Sequence, residues 1–317
     1  MSTRVRIGTS ALEVAPLALG ANVFGWTAGR NESFAVLDGF AAGGGDFIDT
    51  ADGYSAWAPG NSGGESETII GEWLRARGSR DAVTVATKVS THPEFTGLAA
   101  ANVRAAADAS LARLQTDRID LYYAHFDDAE TPLEETVAAF SGLVDAGKIR
   151  AIGVSNYTAE RVAEWFAIAR AGGYHLPVAL QPHYNLLERD FETNGLRDVA
   201  AAEQLAVFPY FGLAKGFLAG KYRDDAAATA AGASPRAAQA VTYLDDRGRS
   251  MLAALDAIAE REGVEVASVS LAWLRRQPTI GGPIASARTT EQLAALLASM
   301  NLELGDEDLR ALSAAAA

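Results

Sequence analysis

Cysteine is absent from the 317-residue sequence. That excludes thiol nucleophiles, disulfides and cysteine-ligated metals, and it removes the usual support for an extracellular protein. No apolar run approaches the roughly 18 residues a membrane span requires, and the opening Met1-Ser-Thr-Arg-Val-Arg leads into no apolar leader core. A cytoplasmic protein is expected. Positive charge is scarce: 27 Lys and Arg stand against 40 Asp and Glu, a formal charge of -13. Such a field repels nucleic-acid phosphates and anionic lipid headgroups, and no Lys/Arg block overrides it, so neither nucleic acid nor a membrane is an expected partner. An anionic small molecule is still allowed, because local amides and one or two cations decide its binding.

Two further absences narrow the chemistry. No Gly-x-Gly-x-x-Gly follows a strand, which argues against a doubly wound dinucleotide-binding domain. Gly216-Phe-Leu-Ala-Gly220-Lys221-Tyr222 superficially looks like a phosphate-binding loop, but it is one residue short and ends in Tyr where a magnesium-binding hydroxyl is needed. The histidines His92, His125, His175 and His183 form no His-x-His pair, and of these His125 and His183 fall at strand ends. A metal-dependent hydrolase using His125, Asp127 and Asp128 is the weaker rival on this ground, and no metal site is expected.

What is present is ordinary globular material, 49% hydrophobic and 21% charged, enough to bury a large core. Short runs rich in Val, Ile and Leu alternate with longer segments of helical period, the pattern of βα units in a parallel sheet. These runs are Leu17-Ala21, Phe47-Thr50, Val83-Thr87, Ile119-His125, Ile149-Val154, Val178-Gln181, Ala206-Tyr210 and Ile280-Ala285. Most are apolar on consecutive positions, as strands covered on both faces should be. Val103, Ala107, Leu111 and Leu114 recur at helical spacing, and so do Leu133, Val137, Phe140 and Val144. Thr131-Pro132-Leu133-Glu134 reads as the second helix's start, with Thr as N-cap and Glu as reciprocal acid.

The expected fold is a single α/β domain over 1–317, a (β/α)8 TIM barrel with two additions. Arg4-Val5-Arg6-Ile7 and Leu12-Glu13-Val14-Ala15 flank Gly8-Thr9-Ser10, a hairpin with a three-residue loop expected to plug the barrel's N-terminal end. Between the seventh and eighth strands lie roughly 70 residues, including the Ala/Gly-biased stretch Ala226-Ala240, more than one helix needs. Part of that extension is expected to be a mobile loop.

In such a barrel reactive side chains sit at the C-terminal ends of strands. Asp49 ends the second run, Lys88 follows the third, His125 closes the fourth, and Tyr54 lies just after the second. A Lys at the end of an apolar strand needs a partner, which Asp49 can supply from the neighbouring strand. An ammonium within about 4–6 Å favours a phenolate and lowers the ordinary phenol pKa of about 10, so Lys88 would acidify Tyr54. Tyr54 then serves as general acid or base, and His125 as a donor to a carbonyl oxygen.

Asp49-Thr50-Ala51-Asp52-Gly53-Tyr54 together with Ala86-Thr87-Lys88 resembles the signature and catalytic lysine strand of the aldo-keto reductases. The resemblance continues through Ser110-Leu-Ala-Arg-Leu-Gln-Thr-Asp-Arg-Ile-Asp-Leu-Tyr-Tyr-Ala-His125 and Ala146-Gly-Lys-Ile-Arg-Ala-Ile-Gly-Val-Ser-Asn156. It resumes at Gln181-Pro-His-Tyr-Asn-Leu-Leu187 and Leu218-Ala-Gly-Lys-Tyr222. It implies an NADP-dependent oxidoreductase, with NAD possible, that reduces a small aldehyde or ketone reversibly; oligomeric state and substrate identity stay open. It further implies that Ser155, Asn156 and Gln181 bond the nicotinamide carboxamide and that Tyr210 stacks on the ring.

Some relatives are non-catalytic, so a cofactor sensor or channel-associated subunit on the same fold is the alternative. After Tyr210 the family's Ser-Pro-Leu is replaced by Phe211-Gly212-Leu213, and backbone amides over Leu213, Ala214, Lys215 and Gly216 are expected to take over the lost phosphate contact. At the other end Ser286, Arg288 and a helix capped by Thr289 and Gln292 would hold the adenosine phosphates, Arg288 favouring NADP through its 2'-phosphate. Ala295-Leu296 stands where many members carry an adenine-contacting Asn. Trp26, Trp57 and Phe126 would wall the substrate pocket. Phe126-Asp127-Asp128 also departs from the pattern common after the histidine.

Overall fold

The computed structural model of the chain describes residues 4–229 and 234–315. Parallel pairing runs in sequence order through β1 (Ala18–Gly20), β2 (Phe47–Asp49), β3 (Thr84–Val89), β4 (Ile119–Ala124), β5 (Ile149–Ser155), β6 (Pro177–Gln181) and β7 (Ala206–Val207), while β8 (Ile284–Ala285) pairs with β1. The barrel closes where Val207 N–H donates to the Thr279 carbonyl at 2.9 Å and Gly281 N–H to the Val207 carbonyl at 2.8 Å. Closure removes both edges of the barrel sheet, so none of its eight strands is left to pair with another chain.

β2, β3, β4 and β6 are buried at every position, which explains why their residues are mostly apolar without alternation. Phe47, Leu121, Tyr123, Val178, Phe208 and Ile284 fill the interior. Ile7, Leu12 and Val14 of the N-terminal hairpin join that same cluster. The hairpin is therefore the barrel's floor, and its turn lies under β6, where a side chain at Gly8 would strike the Val178 carbonyl. Its loop is longer than expected. Ile7 N–H bonds to the Leu12 carbonyl, which takes Ala11 into the turn.

Helices cover the outside. On Ala100–Leu114 the buried face contains Val103, Ala107 and Leu114, and on Leu133–Asp145 it contains Leu133, Val137 and Phe140. The start of the latter differs from the expected capping box. Its N-cap is Pro132 with no side-chain bond, because the Thr131 hydroxyl donates instead to Asp128 at 2.7 Å. Asp128 also accepts from the Leu98 amide, and this tertiary loop contact outcompetes the local cap.

The extension between β7 and β8 contains two full helices, Asp246–Glu262 and Val266–Arg275, besides short turns at Asp225–Ala228, Ala237–Ala240 and Val241–Tyr243. The mobility expected for the stretch Ala226–Ala240 falls in part on residues 230–233, which lie outside the described residues. No helix among the described residues is long and apolar enough to cross a membrane.

Candidate active site

The strand ends converge on one cavity of about 920 Å³, which reaches from Tyr54, His125 and Asn156 to Ser286, Arg288 and Gln292. Beneath its first end Lys88 is fully buried, and its ammonium is satisfied by protein acceptors alone. It donates to Asp49 Oδ2 at 2.7 Å, to the Thr50 carbonyl at 2.8 Å and to the Tyr54 hydroxyl at 2.9 Å. An ammonium has three N–H bonds and no acceptor, so this set leaves none unmet. The loop that carries Tyr54 can approach so closely because Gly53 has no side chain; a Cβ there would lie 2.6 Å from the Thr91 hydroxyl and 3.0 Å from its carbonyl.

Burial lowers the Lys88 pKa, but Asp49 and Tyr54 outweigh it and the amine ends above its ordinary value. For Tyr54 the balance goes against the expectation from sequence. Burial dominates and raises the phenol above its ordinary value, with Lys88 pulling it back down. The ammonium thus offsets desolvation rather than producing an outright acidic phenol. His125, 6.0 Å from the Tyr54 ring, is held well below its usual range by burial and then by Lys88. It is neutral at pH 7, and one ring nitrogen carries a proton it can donate.

A continuous hydrogen-bond chain links this centre to the next strands. Asp49 Oδ1 accepts from Gln181 at 2.9 Å, the Gln181 carbonyl accepts from Ser155 at 2.8 Å, and Ser155 accepts from Asn156 at 3.1 Å. Asn156 in turn accepts from the Tyr210 hydroxyl at 2.8 Å. Asn156 has φ 58°, a left-handed conformation that asparagine tolerates better than most residues and that turns it into the cavity. Its amide hydrogens go to Ser155 and to the His125 carbonyl, which leaves it as an acceptor toward the cavity. One face of Tyr210 stacks on His183, with centroids 5.3 Å apart and planes within 10°. The cavity borders that ring as well.

Of the residues expected from sequence, Lys88, Ser155 and Ala214 do not line the cavity, while Asp49, Tyr54, His125, Asn156, Gln181, Tyr210, Phe211, Gly212, Leu213, Lys215, Gly216, Ser286, Arg288, Gln292, Trp26, Trp57 and Phe126 all do. Lys88 and Ser155 act from beneath through their bonds. Ala214 is completely buried. Its amide donates to the Phe211 carbonyl and that of Gly216 to the Leu213 carbonyl, so these two are spent inside the turn rather than offered to a phosphate. That turn is strained: Ala214, Lys215 and Gly216 have φ of 45°, 59° and 102°, a run that side-chain-bearing residues seldom adopt.

At the far end Thr289 caps the helix Thr290–Ser299 by accepting from the Gln292 amide, and the Gln292 side chain reciprocates to the Arg288 amide. Lys221 lies near Arg288, and its pKa is lowered by desolvation and by that neighbouring charge. Two cations held together in this way favour an anion between them.

Sequence reasoning missed Lys221 as a site residue, although it lies in a quoted motif, and it missed Arg236 and Asn22 entirely. Asn22 accepts from Ser286 at 2.8 Å across the β8 to β1 seam, a pairing no local pattern announces. The metal-hydrolase rival loses its donors. Arg161 grips Asp127 with two bonds of 2.8 Å, Asp128 caps the Leu98 amide, and no metal-holding group of three His, Asp or Glu occurs among the described residues.

The geometry is that of a parallel barrel with a buried lysine and aspartate, a half-buried tyrosine and a neutral histidine gathered at its mouth. A sequence profile of the aldo/keto reductase family matches residues 16–317. The chain is 35% identical to norsolorinic acid reductase stcV of Emericella nidulans, over 96% of this chain and 79% of that one. It is 34% identical to protein tas of Escherichia coli, over 98% and 96% respectively, and 33% identical to the uncharacterized oxidoreductase YrpG of Bacillus subtilis, over 97% and 94%. The chain belongs to the aldo/keto reductase family and is an oxidoreductase of carbonyl groups.

Proposed function

We propose that the chain is an NADPH-dependent reductase of a small aldehyde or ketone, with Tyr54 as the proton donor. The observation that carries this reading is the Lys88 ammonium, whose three donors end on Asp49, Thr50 and Tyr54. Burying a lysine this deeply is costly unless its charge is used, and here the charge lies against a phenol that lines the cavity.

The residues fit a nicotinamide dinucleotide. The remaining acceptor capacity of Asn156 and Gln181 suits the amide hydrogens of a carboxamide, the cavity-facing side of Tyr210 offers a ring to stack on, and Lys221, Arg288 and the capped helix suit phosphates. Neither Arg288 nor Lys221 has a carboxylate partner among the described residues. A 2'-phosphate supplies one, which favours NADP over NAD. When bound, the reduced cofactor supplies a hydride to the carbonyl carbon.

The protein's own part is the proton and the oxygen. His125, neutral, donates a hydrogen bond to the carbonyl oxygen and fixes its direction; Tyr54 gives that oxygen its proton as the alkoxide forms. Lys88 stabilises the resulting phenolate at 2.9 Å, and Asp49 holds Lys88 charged. In the reverse direction the phenolate takes the alcohol proton. Trp26, Trp57 and Phe126 line the approach and hold an apolar substrate body away from water.

The test is an NADPH-oxidation assay over aromatic aldehydes, aliphatic aldehydes, sugars and ketones, repeated with NADH. Turnover is expected with NADPH and at least one carbonyl class. Tight NADPH binding without hydride transfer to any of them would instead mark a cofactor sensor.

A further inference from the structure

A neutral imidazole has one N–H and one lone pair, so His125 can donate to a carbonyl oxygen only in the tautomer whose proton faces the substrate. Its two ring nitrogens have different surroundings. Nδ1 lies 3.4 Å from the Thr91 hydroxyl, while Nε2 has no hydrogen-bond partner among the described residues and the ring borders the cavity. Thr91 borders it too. No other bond of the Thr91 hydroxyl occurs among the described residues, so the lone pair of Nδ1 is the protein acceptor open to its proton.

Thr91 comes to this place through an unfavourable stretch of backbone. β3 ends at Val89, and Ser90 follows with φ 128°, a conformation that favours glycine. The Ser90 hydroxyl is enclosed and finds no partner among the described residues, so its side chain offers no compensation. Such a residue persists where its surroundings over-determine it. Here the His125 amide donates to the Val89 carbonyl at 3.0 Å and the Gly97 amide to the Ser90 carbonyl at 3.1 Å. Beyond them Thr91 and His92 pair with Phe95 and Thr96 in a short antiparallel hairpin, with the His92 and Phe95 rings 5.1 Å apart. The Thr91 hydroxyl also stands against Gly53, where a Cβ would meet it at 2.6 Å. One hydroxyl thus lies between the loop that delivers Tyr54 and the ring of His125.

We propose that Thr91 is a positioning residue for carbonyl reduction: its hydroxyl donates to Nδ1 of His125 and thereby keeps the ring proton on Nε2, as the donor for the substrate oxygen. This rests on the reductase reading of the cavity. Which nitrogen of a neutral histidine is protonated is set by the hydrogen bond that the other one makes. Without the hydroxyl the proton can move to Nδ1, and Nε2 then turns a lone pair on the carbonyl oxygen where a donor is required. The strained turn at Ser90 fixes the hydroxyl relative to both reacting groups.

Nitrogen NMR of the isotope-labelled, NADP-loaded protein reads the tautomer directly, with His125→Gln identifying the His125 signals among those of the four histidines. Wild type is expected to show Nε2 protonated and Nδ1 bare at neutral pH. Thr91→Val, which has the same shape without the hydroxyl, should give a mixture of tautomers. With para-nitrobenzaldehyde and NADPH the same variant should lower kcat about 3- to 10-fold, the range of one neutral hydrogen bond, while NADPH affinity, titrated directly, changes less than about 2-fold. Thr91→Ser should restore the single tautomer and most of the rate.

A proton on Nδ1 in wild type, or one tautomer shared by wild type and Thr91→Val, overturns the proposal. So does a kcat that is unchanged in Thr91→Val, or lost equally in Thr91→Ser, which would make the role one of shape. Absence of turnover in wild type, with the tautomer still dependent on Thr91, would count against the reductase reading and not against the hold of Thr91 on His125.

Discussion

The two ends of the cavity solve opposite electrostatic problems. At the chemical end the Lys88 ammonium has every donor bonded to Asp49, Thr50 or Tyr54, and those bonds continue through Gln181, Ser155 and Asn156 to Tyr210. That end is organised before any ligand arrives, as a centre that must stabilise a developing charge without reorganising should be. At the other end Lys221 and Arg288 lie close enough to repel each other. The difference separates positioning from capture: one end uses protein partners to hold geometry, while the other withholds them so that an anion gains the missing interaction.

The largest expected effect is at the organised end. Tyr54→Phe should lower carbonyl reduction by about 10²–10⁴-fold, the usual share of a general acid, while NADPH affinity stays the same; near-normal turnover would remove Tyr54 from its role. Next, Lys88→Met should destabilise folding by about 3–5 kcal/mol in urea titration, because Asp49 is left buried without its cation. A variant as stable as wild type would show that the pair is not structurally committed. At the capture end Arg288→Ala should leave stability nearly untouched but weaken NADPH by roughly 10- to 100-fold. NADH should change little, and equal losses for both would deny Arg288 the 2'-phosphate.

The subtlest effect to measure, a slope against pH rather than a loss, probes an exception to the contrast. Asp52 adjoins the organised end but is completely buried, with no side-chain partner for its carboxylate among the described residues. Burial, then the charge of Glu67, raises its pKa from 3.8 to about 8. The folded state holds this proton more tightly than the unfolded state. Its contribution is therefore complete below about pH 4 and is lost as pH rises through about 8, on the order of 1 kcal/mol per pH unit in between. Asp52→Asn should flatten that decline between pH 5 and 8 in paired urea titrations. An identical slope in both proteins would mean that Asp52 finds a partner.

Much of this was legible from residue order. The eight strands appear at the apolar runs, three of which lead into Asp49, Lys88 and His125, because a strand covered on both faces must be largely apolar until it reaches the mouth. Thr289 and Gln292 form their cap as their spacing suggests. Thr131 does not, because Asp128 lies nearer in three dimensions than the helix amides it was expected to bond. The direction of the Tyr54 shift was misjudged for a related reason: a neighbouring lysine is visible in sequence, but the depth of burial opposing it is not. Arg236 gave no signal at all within an Ala-rich stretch.

Residue types and their spacing by themselves determined the barrel, the strand-end positions of the reacting groups and the family, since these depend on periodicity and on chemistry local to each βα unit. Only the folded chain decided which lone pairs and protons were already spent, as with Ser155 and the Ala214 amide, and which charges meet no carboxylate among the described residues, as with Lys221 and Arg236. Hydrogen bonding and desolvation depend on distances of a few ångströms between residues far apart in the chain, and those distances exist only once the barrel has closed.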